Sequence, residues 1–266
     1  MKQFGFIGIG NMGGAIASAT AKAVEPDQIL VSAKHYEHAW KFSNTYGTVP
    51  SDNITIARDA KFIVLGVKPQ YMSLLLDELK PILQERSDFV LVSMAAGLTM
   101  EKISDMAGGR CPVIRIMPNT PARVGQGVVL YDYNNHVERE DLEEFLYALK
   151  PAGRLNHLPE QLIDAGTSVA GCGPAFVYLF AEALADGGVA CGLPRDKALE
   201  YAAQTLLGSA QLLLETGEHP GVLKDAVCSP GGSTIQGVRM LENGGLRATV
   251  MEAVIAAYEK NREFAQ

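Results

Sequence analysis

This chain of 266 residues has few cysteines and no cluster of positive charge. It also shows no spacing of residues typical of metal ligands. No C-x-x-C pair occurs, so we expect no disulfide scaffold and predict buried, reduced thiols in a cytoplasmic protein. The five histidines show no metal-ligand spacing, and we predict no metal site. The net charge is −7 without a Lys/Arg cluster, which argues against nucleic acid or an anionic membrane as the partner. The four cysteines are Cys111, Cys172, Cys191 and Cys228.

Long hydrophobic runs are missing as well. The N-terminal apolar run, 4–9, is too short for a signal peptide. The most apolar region, 165–185, is interrupted by Gly171, Pro174 and Glu182, which indicates buried helices rather than a membrane span. The chain length allows one large or two modest domains.

Glycine, in contrast, is plentiful, and three glycines near the N-terminus carry the strongest motif. Gly8, Gly10 and Gly13 follow the spacing G-x-G-x-x-G between an apolar run and an alanine-rich stretch. In a strand-turn-helix unit they permit the tight turn, the approach of a pyrophosphate and close helix packing, respectively. The helix start then presents bare N–H groups to the phosphates. We predict a dinucleotide site here; the alternative is a purely structural glycine-rich turn.

The second predicted strand, Ile29 to Ser32, bears on the choice of cofactor. An NAD-preferring site usually carries a carboxylate at this distance from the glycine motif. Here Ser32 and Lys34 supply a hydroxyl and a cation instead, which favours NADPH over NADH, with NADH still possible. The alternative is a solvated basic turn that opens a helix over 36–46.

Three further apolar runs, 62–66, 89–93 and 113–117, predict strands covered on both faces. Each is followed by a loop rich in small residues, glycine or proline. Ligands in open α/β sheets bind beyond the carboxyl ends of the strands, so these loops should line the cofactor groove. The loops are Val67-Lys68-Pro69, Met94-Ala95-Ala96-Gly97 and Pro118-Asn119-Thr120-Pro121.

Two polar residues near these loops are candidate ligand contacts. We expect Lys68 to contact cofactor or substrate, the alternative being an ordinary surface lysine. Asn53 lies in a predicted polar loop, where it either forms a turn or contacts the ligand.

The alternation of strands and helices ends near Pro159, after predicted elements at 127–131, 138–149 and 154–157. The predicted fold is therefore an α/β Rossmann-type doubly wound N-terminal domain, 1–158, followed by an all-α C-terminal domain, 159–266. The helices of the second domain are apolar beyond a narrow stripe, so we expect a dimer or higher oligomer through this half. The predicted helices cover 161–170, 174–186, 195–216, 220–228, 234–242 and 246–264, punctuated at 171–174, 187–188, 192–194 and 244–245.

The most unusual polar stretch of the helical half is Lys224 to Thr234. A helix is predicted to end, Pro-Gly-Gly turns, and Ser233 or Thr234 caps a new helix. The bare N–H groups of such a start suit a carboxylate, while the alternative is a simple helix cap. No general acid is evident, although carbonyl reduction normally needs one. A protonated imine would accept hydride directly, and a hydroxyl such as that of Thr234 would only orient its ring nitrogen.

Seven short motifs are spread along the chain: GFIGIGNMG at 5–13, GVKP at 66–69, AAG at 95–97, MPNTP at 117–121, GCGPAF at 171–176, ADGGVACGLPR at 185–195 and HPGVLKDAVCSPGGSTI at 219–235. Through these motifs the whole chain resembles the pyrroline-5-carboxylate reductase family. The resemblance implies an oxidoreductase that reduces L-Δ1-pyrroline-5-carboxylate to L-proline with NADPH or NADH, the last step of proline biosynthesis. Two departures stand out: Ala226 replaces an asparagine that contacts cofactor in some members, and Cys172 replaces a common serine.

The same resemblance implies the residues of the site. Thr234 would be the catalytic residue, its hydroxyl bonding the ring nitrogen, and the helices would form a homodimer, often within a ring of dimers. The implied cofactor-binding residues are Ile7, Gly8, Gly10, Asn11, Met12, Ser32, Lys34, Asn53, Val67, Lys68, Pro69, Ala95, Ala96 and Gly97. The implied substrate-binding residues are Glu160, Ser229, Gly231, Gly232, Ser233 and Thr234.

Three other functions compete with this interpretation. A β-hydroxyacid dehydrogenase would carry a catalytic lysine in the helix after Gly173, where none occurs before Lys197. An imine reductase for a cyclic imine that lacks a carboxylate would not need a turn suited to a carboxylate. A non-catalytic redox sensor would bind the dinucleotide without turnover.

Overall fold

The apolar runs form one eight-stranded sheet in the computed structural model, which describes residues 1–265. The strands are β1 Lys2–Ile7, β2 Ile29–Ser32, β3 Val49–Pro50, β4 Ala60–Leu65, β5 Val90–Ser93, β6 Val113–Pro118, β7 Gly127–Tyr133 and β8 Gly153–His157. The helices are α1 Asn11–Thr20, α2 Tyr36–Tyr46, α3 Asn53–Asp59, α4 Met72–Leu83, α5 Met100–Met106, α6 Arg139–Leu149, α7 Glu160–Ala170, α8 Gly173–Ala190, α9 Arg195–Thr216, α10 Pro220–Ala226, α11 Ser233–Asn243 and α12 Leu246–Ala265.

The strand order is β3-β2-β1-β4-β5-β6-β7-β8, and β1 to β6 are mutually parallel. The order reverses at β1, which pairs with β2 on one side and β4 on the other. This is the doubly wound arrangement that the sequence predicts. Strand β7 runs antiparallel to β6, because the short connection between them cannot hold a parallel crossover.

Helices cover both faces of the sheet, which explains why the central strands are continuously apolar. On one face Phe4, Phe62 and Phe145 are fully buried, with the Phe4 and Phe62 ring centroids 4.9 Å apart. On the other face Leu76 of α4 and Ile103 of α5 are fully buried. Each such side chain contributes about 1.5–3 kcal/mol of burial free energy.

The contacts divide the chain into two compact units. Met1–Cys172 together with the end of α12 from Ala257 form the first unit, and Gly173–Ala256 form the second. Helix α7 belongs to the first unit, where the carbonyl oxygen of Ala170 accepts a hydrogen bond of 2.9 Å from Asn119. The predicted boundary at 158/159 divides the chain by function, whereas these two units are defined by contacts. The functional boundary therefore stays a prediction.

Helix α8 departs from the prediction in two ways. It runs through Gly187 and Gly188, where a break was predicted, and the chain turns only at Gly192, whose φ is +99°. A helical glycine costs only about 1 kcal/mol, so neighbouring contacts can override it. The helix is also largely exposed rather than buried, with Leu179 69% accessible.

Residues 160–190 are long and apolar enough to cross a membrane, by length and composition alone. Two helices share this stretch, however, with a turn at Gly171 and Cys172 between them. Exposed apolar surface on a helix also marks protein–protein interfaces.

The four cysteines lie in different environments, so the expectation of four buried thiols is wrong. Cys111 is buried, and burial raises the pKa of its thiol. Cys172 and Cys228 are half-buried, and Cys191 is exposed in the turn after α8, where the second unit offers little core. Within residues 1–265 no three His, Cys, Asp or Glu side chains are grouped closely enough to hold a metal ion.

Candidate functional site

Four neighbouring strands end on one line at the carboxyl edge of the sheet. Ile7 is paired in register with Ser32 on one side and Leu65 on the other, and Leu65 is paired with Ser93. The loops that follow these strands therefore leave the sheet side by side. All the predicted cofactor-binding residues lie at these strand ends, in these loops or at the start of α1 or α3, and all belong to the first unit.

The glycine motif has the steric roles that the sequence predicts. Gly8 turns the chain with φ +93°, and a Cβ on Gly13 would lie 2.1 Å from the carbonyl oxygen of Gly8. A Cβ on Gly10 would instead meet nothing within 4 Å. Helix α1 begins at Asn11 with no side-chain cap among the described residues, so its first N–H groups are available to an anion.

Ser32 and Asn53 meet beyond the end of β2. The hydroxyl of Ser32 donates a 2.7 Å hydrogen bond to Oδ1 of Asn53. The prediction of a loop at Asn53 is wrong, because Asn53 is the first residue of α3 and Asp52 caps that helix. The Asp52 carboxylate accepts a 2.8 Å hydrogen bond from the Thr55 N–H, and this bond lowers the pKa of Asp52. Lys34, two residues past Ser32, is exposed.

The next two loops are shaped by tight backbone contacts. A Cβ on Gly66 would lie 2.3 Å from the carbonyl oxygen of Gly8, so the Val67-Lys68-Pro69 loop starts against the glycine turn. The side chain of Lys68 is exposed. In the following loop Ala95 donates its N–H to Oγ of Ser93 at 3.3 Å, and Gly97 adopts φ +75°.

Arg123 is a residue that the sequence reasoning missed. It lies in a 3₁₀ turn, Thr120–Val124, and its guanidinium donates to the carbonyl oxygen of Asn11 at 3.1 Å and to Oδ1 of Asn11 at 3.3 Å. A cation is thus held beside the start of α1. Only the position of the PNTP loop at the carboxyl edge indicates such a contact from sequence.

A buried charge cluster is the second feature that the sequence did not predict. Arg115 of β6 is 3% exposed and donates to Glu160 at 3.2 Å and to Asp164 at 3.1 Å. Within the described residues its Nε atom is buried without a hydrogen-bond partner. The same Glu160 oxygen accepts a 2.7 Å hydrogen bond from the Met100 N–H. Substrate contact by Glu160 stays a prediction; its carboxylate already binds two groups of the protein.

In the second unit, the stretch from Ser229 to Thr234 forms a turn and the start of α11. Gly231 has φ +71°, and Gly232 donates its N–H to the carbonyl oxygen of Ser229 at 3.0 Å. The predicted cap by Ser233 or Thr234 is wrong, since Gly232 takes the N-cap position and both residues lie in the first turn. No side chain caps α11 within the described chain, so its first N–H groups remain open to an anion.

Lys224 and Asp225 lie in the preceding helix, α10, as predicted, and their side chains form an ion pair. His219 caps the start of α10 by accepting a 3.1 Å hydrogen bond from the Gly221 N–H. The polar contacts described for this segment are therefore local, because each joins residues that are neighbours along the chain.

Two family models match the chain. Residues 160–264 match the model described as pyrroline-5-carboxylate reductase dimerisation. Residues 3–97, which include the aligned strand ends, match the model described as NADP oxidoreductase coenzyme F420-dependent.

Individual relatives match over nearly the full length. A pyrroline-5-carboxylate reductase of Glycine max is 43% identical, over 97% of this chain and 94% of its own length. One of Escherichia coli is 39% identical, over 100% of this chain and 99% of its own. The crystal structure of a Plasmodium falciparum pyrroline carboxylate reductase with NADP bound is 33% identical, with a TM-score of 0.90 over 100% of this chain and 98% of that one. This chain therefore belongs to the pyrroline-5-carboxylate reductase family.

Proposed function

We propose that this protein catalyses the NAD(P)H-dependent reduction of L-Δ1-pyrroline-5-carboxylate to L-proline, the last step of proline biosynthesis. The observation that carries the proposal is the family membership over nearly the whole chain. The glycine turn at 8–13 and the turn before α11 are both present. The glycine turn suits a dinucleotide, and the open start of α11 suits a small carboxylate.

The cofactor in this proposal is NADPH, with NADH as a weaker substitute. The α1 N-terminus holds the pyrophosphate, with Gly10 leaving room for its approach. Lys34 and Asn53 hold the 2′-phosphate, and Ser32, whose one hydroxyl proton goes to Asn53, contributes by orienting that amide. Oδ1 of Asn53 already accepts the Ser32 hydroxyl, so the group that Asn53 offers a phosphate is its amide N–H. The remaining contacts are Ile7, Gly8, Asn11, Met12, Val67, Lys68, Pro69, Ala95, Ala96 and Gly97.

The substrate carboxylate is held in the turn formed by Ser229, Gly231 and Gly232, on the backbone N–H groups of Ser233 and Thr234. The hydroxyl of Thr234 hydrogen-bonds the ring nitrogen and fixes the orientation of the ring. The bound cofactor would supply the hydride, and a protonated imine would accept it at C5 without a general acid. The protein contributes mainly orientation and an anchor for the carboxylate.

The assembly is part of the proposal. Residues 1–158 form the dinucleotide-binding domain and 159–266 the domain for substrate binding and dimerisation. The match to the dimerisation family model and the exposed apolar side chains of α8 support a homodimer through the C-terminal helices. We propose a ring of such dimers as the larger assembly, and a cytoplasmic location.

The test is an NADPH-oxidation assay with pyrroline-5-carboxylate, run beside NADH and beside 1-pyrroline, which lacks the carboxylate. We expect turnover with pyrroline-5-carboxylate, a higher kcat/KM with NADPH, and little activity on 1-pyrroline. Equal activity on both imines would contradict the carboxylate anchor. NADPH binding without any turnover would contradict the reductase and favour a non-catalytic redox sensor.

A further inference from the structure

The loop between β5 and α5, residues 94–99, is fixed at both ends by side-chain oxygens. At its start, Oγ of Ser93 accepts the Ala95 N–H at 3.3 Å. At its end, Oγ1 of Thr99 caps α5 by accepting the Lys102 N–H at 3.2 Å. The proposed cofactor contacts Ala95, Ala96 and Gly97 lie between these two anchors, so their positions depend on both.

A third anchor comes from a distant part of the chain. Oε1 of Glu160, in the first turn of α7, accepts the N–H of Met100 at 2.7 Å. Met100 is the first residue of α5, and its N–H has no partner within that helix. A carboxylate at a helix N-terminus is also favoured by the helix dipole. Glu160 therefore fixes the point at which the loop enters α5.

Arg115 in turn fixes the carboxylate of Glu160. Its Nη1 donates to the same oxygen at 3.2 Å, while its Nη2 donates to Asp164 at 3.1 Å. The Arg115 side chain is 3% exposed, whereas those of Glu160 and Asp164 are 23% and 21% exposed. A buried guanidinium requires such partners, so the side chain of Glu160 is held firmly toward β6.

The backbone of Glu160 is held as well. Oδ2 of Asp132 accepts the Glu160 N–H at 2.6 Å, and Oδ1 of the same carboxylate lies 3.1 Å from Nε2 of His157. Asp132 faces Arg115 in the register of β6 and β7. Glu160 is thus held by Arg115 of β6 and Asp132 of β7. Its hydrogen bond to the Met100 N–H in turn holds the end of the loop.

We propose that Glu160 and Arg115 are positioning residues that hold the 94–99 loop in the shape that binds NADPH. The inference rests on the proposed function, because that function makes Ala95, Ala96 and Gly97 cofactor contacts. Glu160 acts here through Met100, and no contact between Glu160 and the substrate is required.

The experiment compares three variants of the full-length protein. Glu160→Ala removes the carboxylate, Glu160→Gln keeps an oxygen that can accept both hydrogen bonds, and Asp164→Asn weakens the other partner of Arg115 without touching Met100. The dissociation constant of NADPH is measured by fluorescence titration, the KM values and kcat by steady-state assay, and folding by thermal unfolding.

We expect Glu160→Ala to raise the NADPH Kd and KM about fivefold or more, with the substrate KM changed less than twofold. Glu160→Gln should recover most of the affinity, and Asp164→Asn should bind NADPH within about twofold of wild type. A Glu160→Ala protein that unfolds at lower temperature but binds NADPH normally would overturn the proposal. So would a rise in the substrate KM alone. Absence of turnover in the wild type with tight NADPH binding would defeat the proposed reaction but leave this inference standing.

Discussion

The two compact units of the chain differ in how much apolar surface they cover by themselves. The first unit buries large side chains on both faces of its sheet, among them Phe4 and Phe62. In the second unit the buried cluster consists of Ala185, Ala198 and Ala202. Three small side chains supply little burial free energy, while large apolar side chains of the same unit face outward. The first unit therefore has a large core of its own, whereas the second leaves most of its large apolar side chains uncovered.

The largest effect should come from a charge on that exposed surface. Leu179 of α8 is 69% exposed, and we expect Leu179→Asp to dissociate the oligomer and lower activity by about 100-fold at low protein concentration. NADPH binding should persist, because the first unit keeps its own core. Light scattering and fluorescence titration measure the two outcomes.

A matched control lies in the first unit. Leu74 of α4 is 73% exposed, and Leu74→Asp should change neither the oligomeric state nor the activity. An Leu179→Asp protein that stays fully oligomeric and active would contradict the idea that the second unit depends on a partner.

The next effect tests the chemistry assigned to the second unit. Thr234→Ala should cost about 1.5–3 kcal/mol in kcat/KM, because the variant loses the proposed hydrogen bond of this hydroxyl to the charged ring nitrogen. Ser233→Ala is the control: only its backbone N–H is assigned a role, so kcat/KM should stay within about threefold of wild type. An unchanged value for Thr234→Ala removes that hydroxyl from the mechanism.

A smaller effect tests the choice of cofactor by the first unit. Lys34→Glu should raise the KM for NADPH about tenfold while leaving that for NADH nearly unchanged, since only NADPH carries the 2′-phosphate. Lys41→Glu, an exposed change of the same charge within α2, should leave the ratio of the two constants as it is. Parallel increases in both KM values after Lys34→Glu would reject the assignment.

The smallest effect concerns the local stability of the first unit. The Thr55 N–H holds the pKa of Asp52 below its usual range, so the cap stabilises α3 above the unfolded pKa of 3.8 and is lost as pH falls through the folded value. Asp52→Ala should cost about 1 kcal/mol at pH 7, measured by urea unfolding. Asp52→Asn should retain most of the cap. Equal losses of stability in both variants would show that the contribution of Asp52 does not come from the capping hydrogen bond.

The sequence predicts best where a single local pattern decides the structure. Strand β2 and helices α2 and α9 have the predicted bounds, because turn and cap signals flank clear apolar patterns. Gly8 and Gly13 have the predicted steric roles for the same reason, since each acts on the backbone immediately around it.

Features that depend on distant residues were not predicted. Arg115 was hidden within an apolar run, and its partners Glu160 and Asp164 lie 45 and 49 residues away along the chain. The single charge in a buried strand is the signal that could have revealed the cluster. Helix α8 was cut short because a glycine pair weakens a helix locally, while packing against α9 acts from elsewhere in the chain.

The most direct test of the proposed chemistry is a crystal structure with NADP⁺ and L-proline bound. The account predicts the proline carboxylate on the backbone N–H groups of Ser233 and Thr234, its ring nitrogen beside the Thr234 hydroxyl, and its C5 facing C4 of the nicotinamide. Proline bound away from the start of α11, or with its ring out of reach of the nicotinamide, would contradict it.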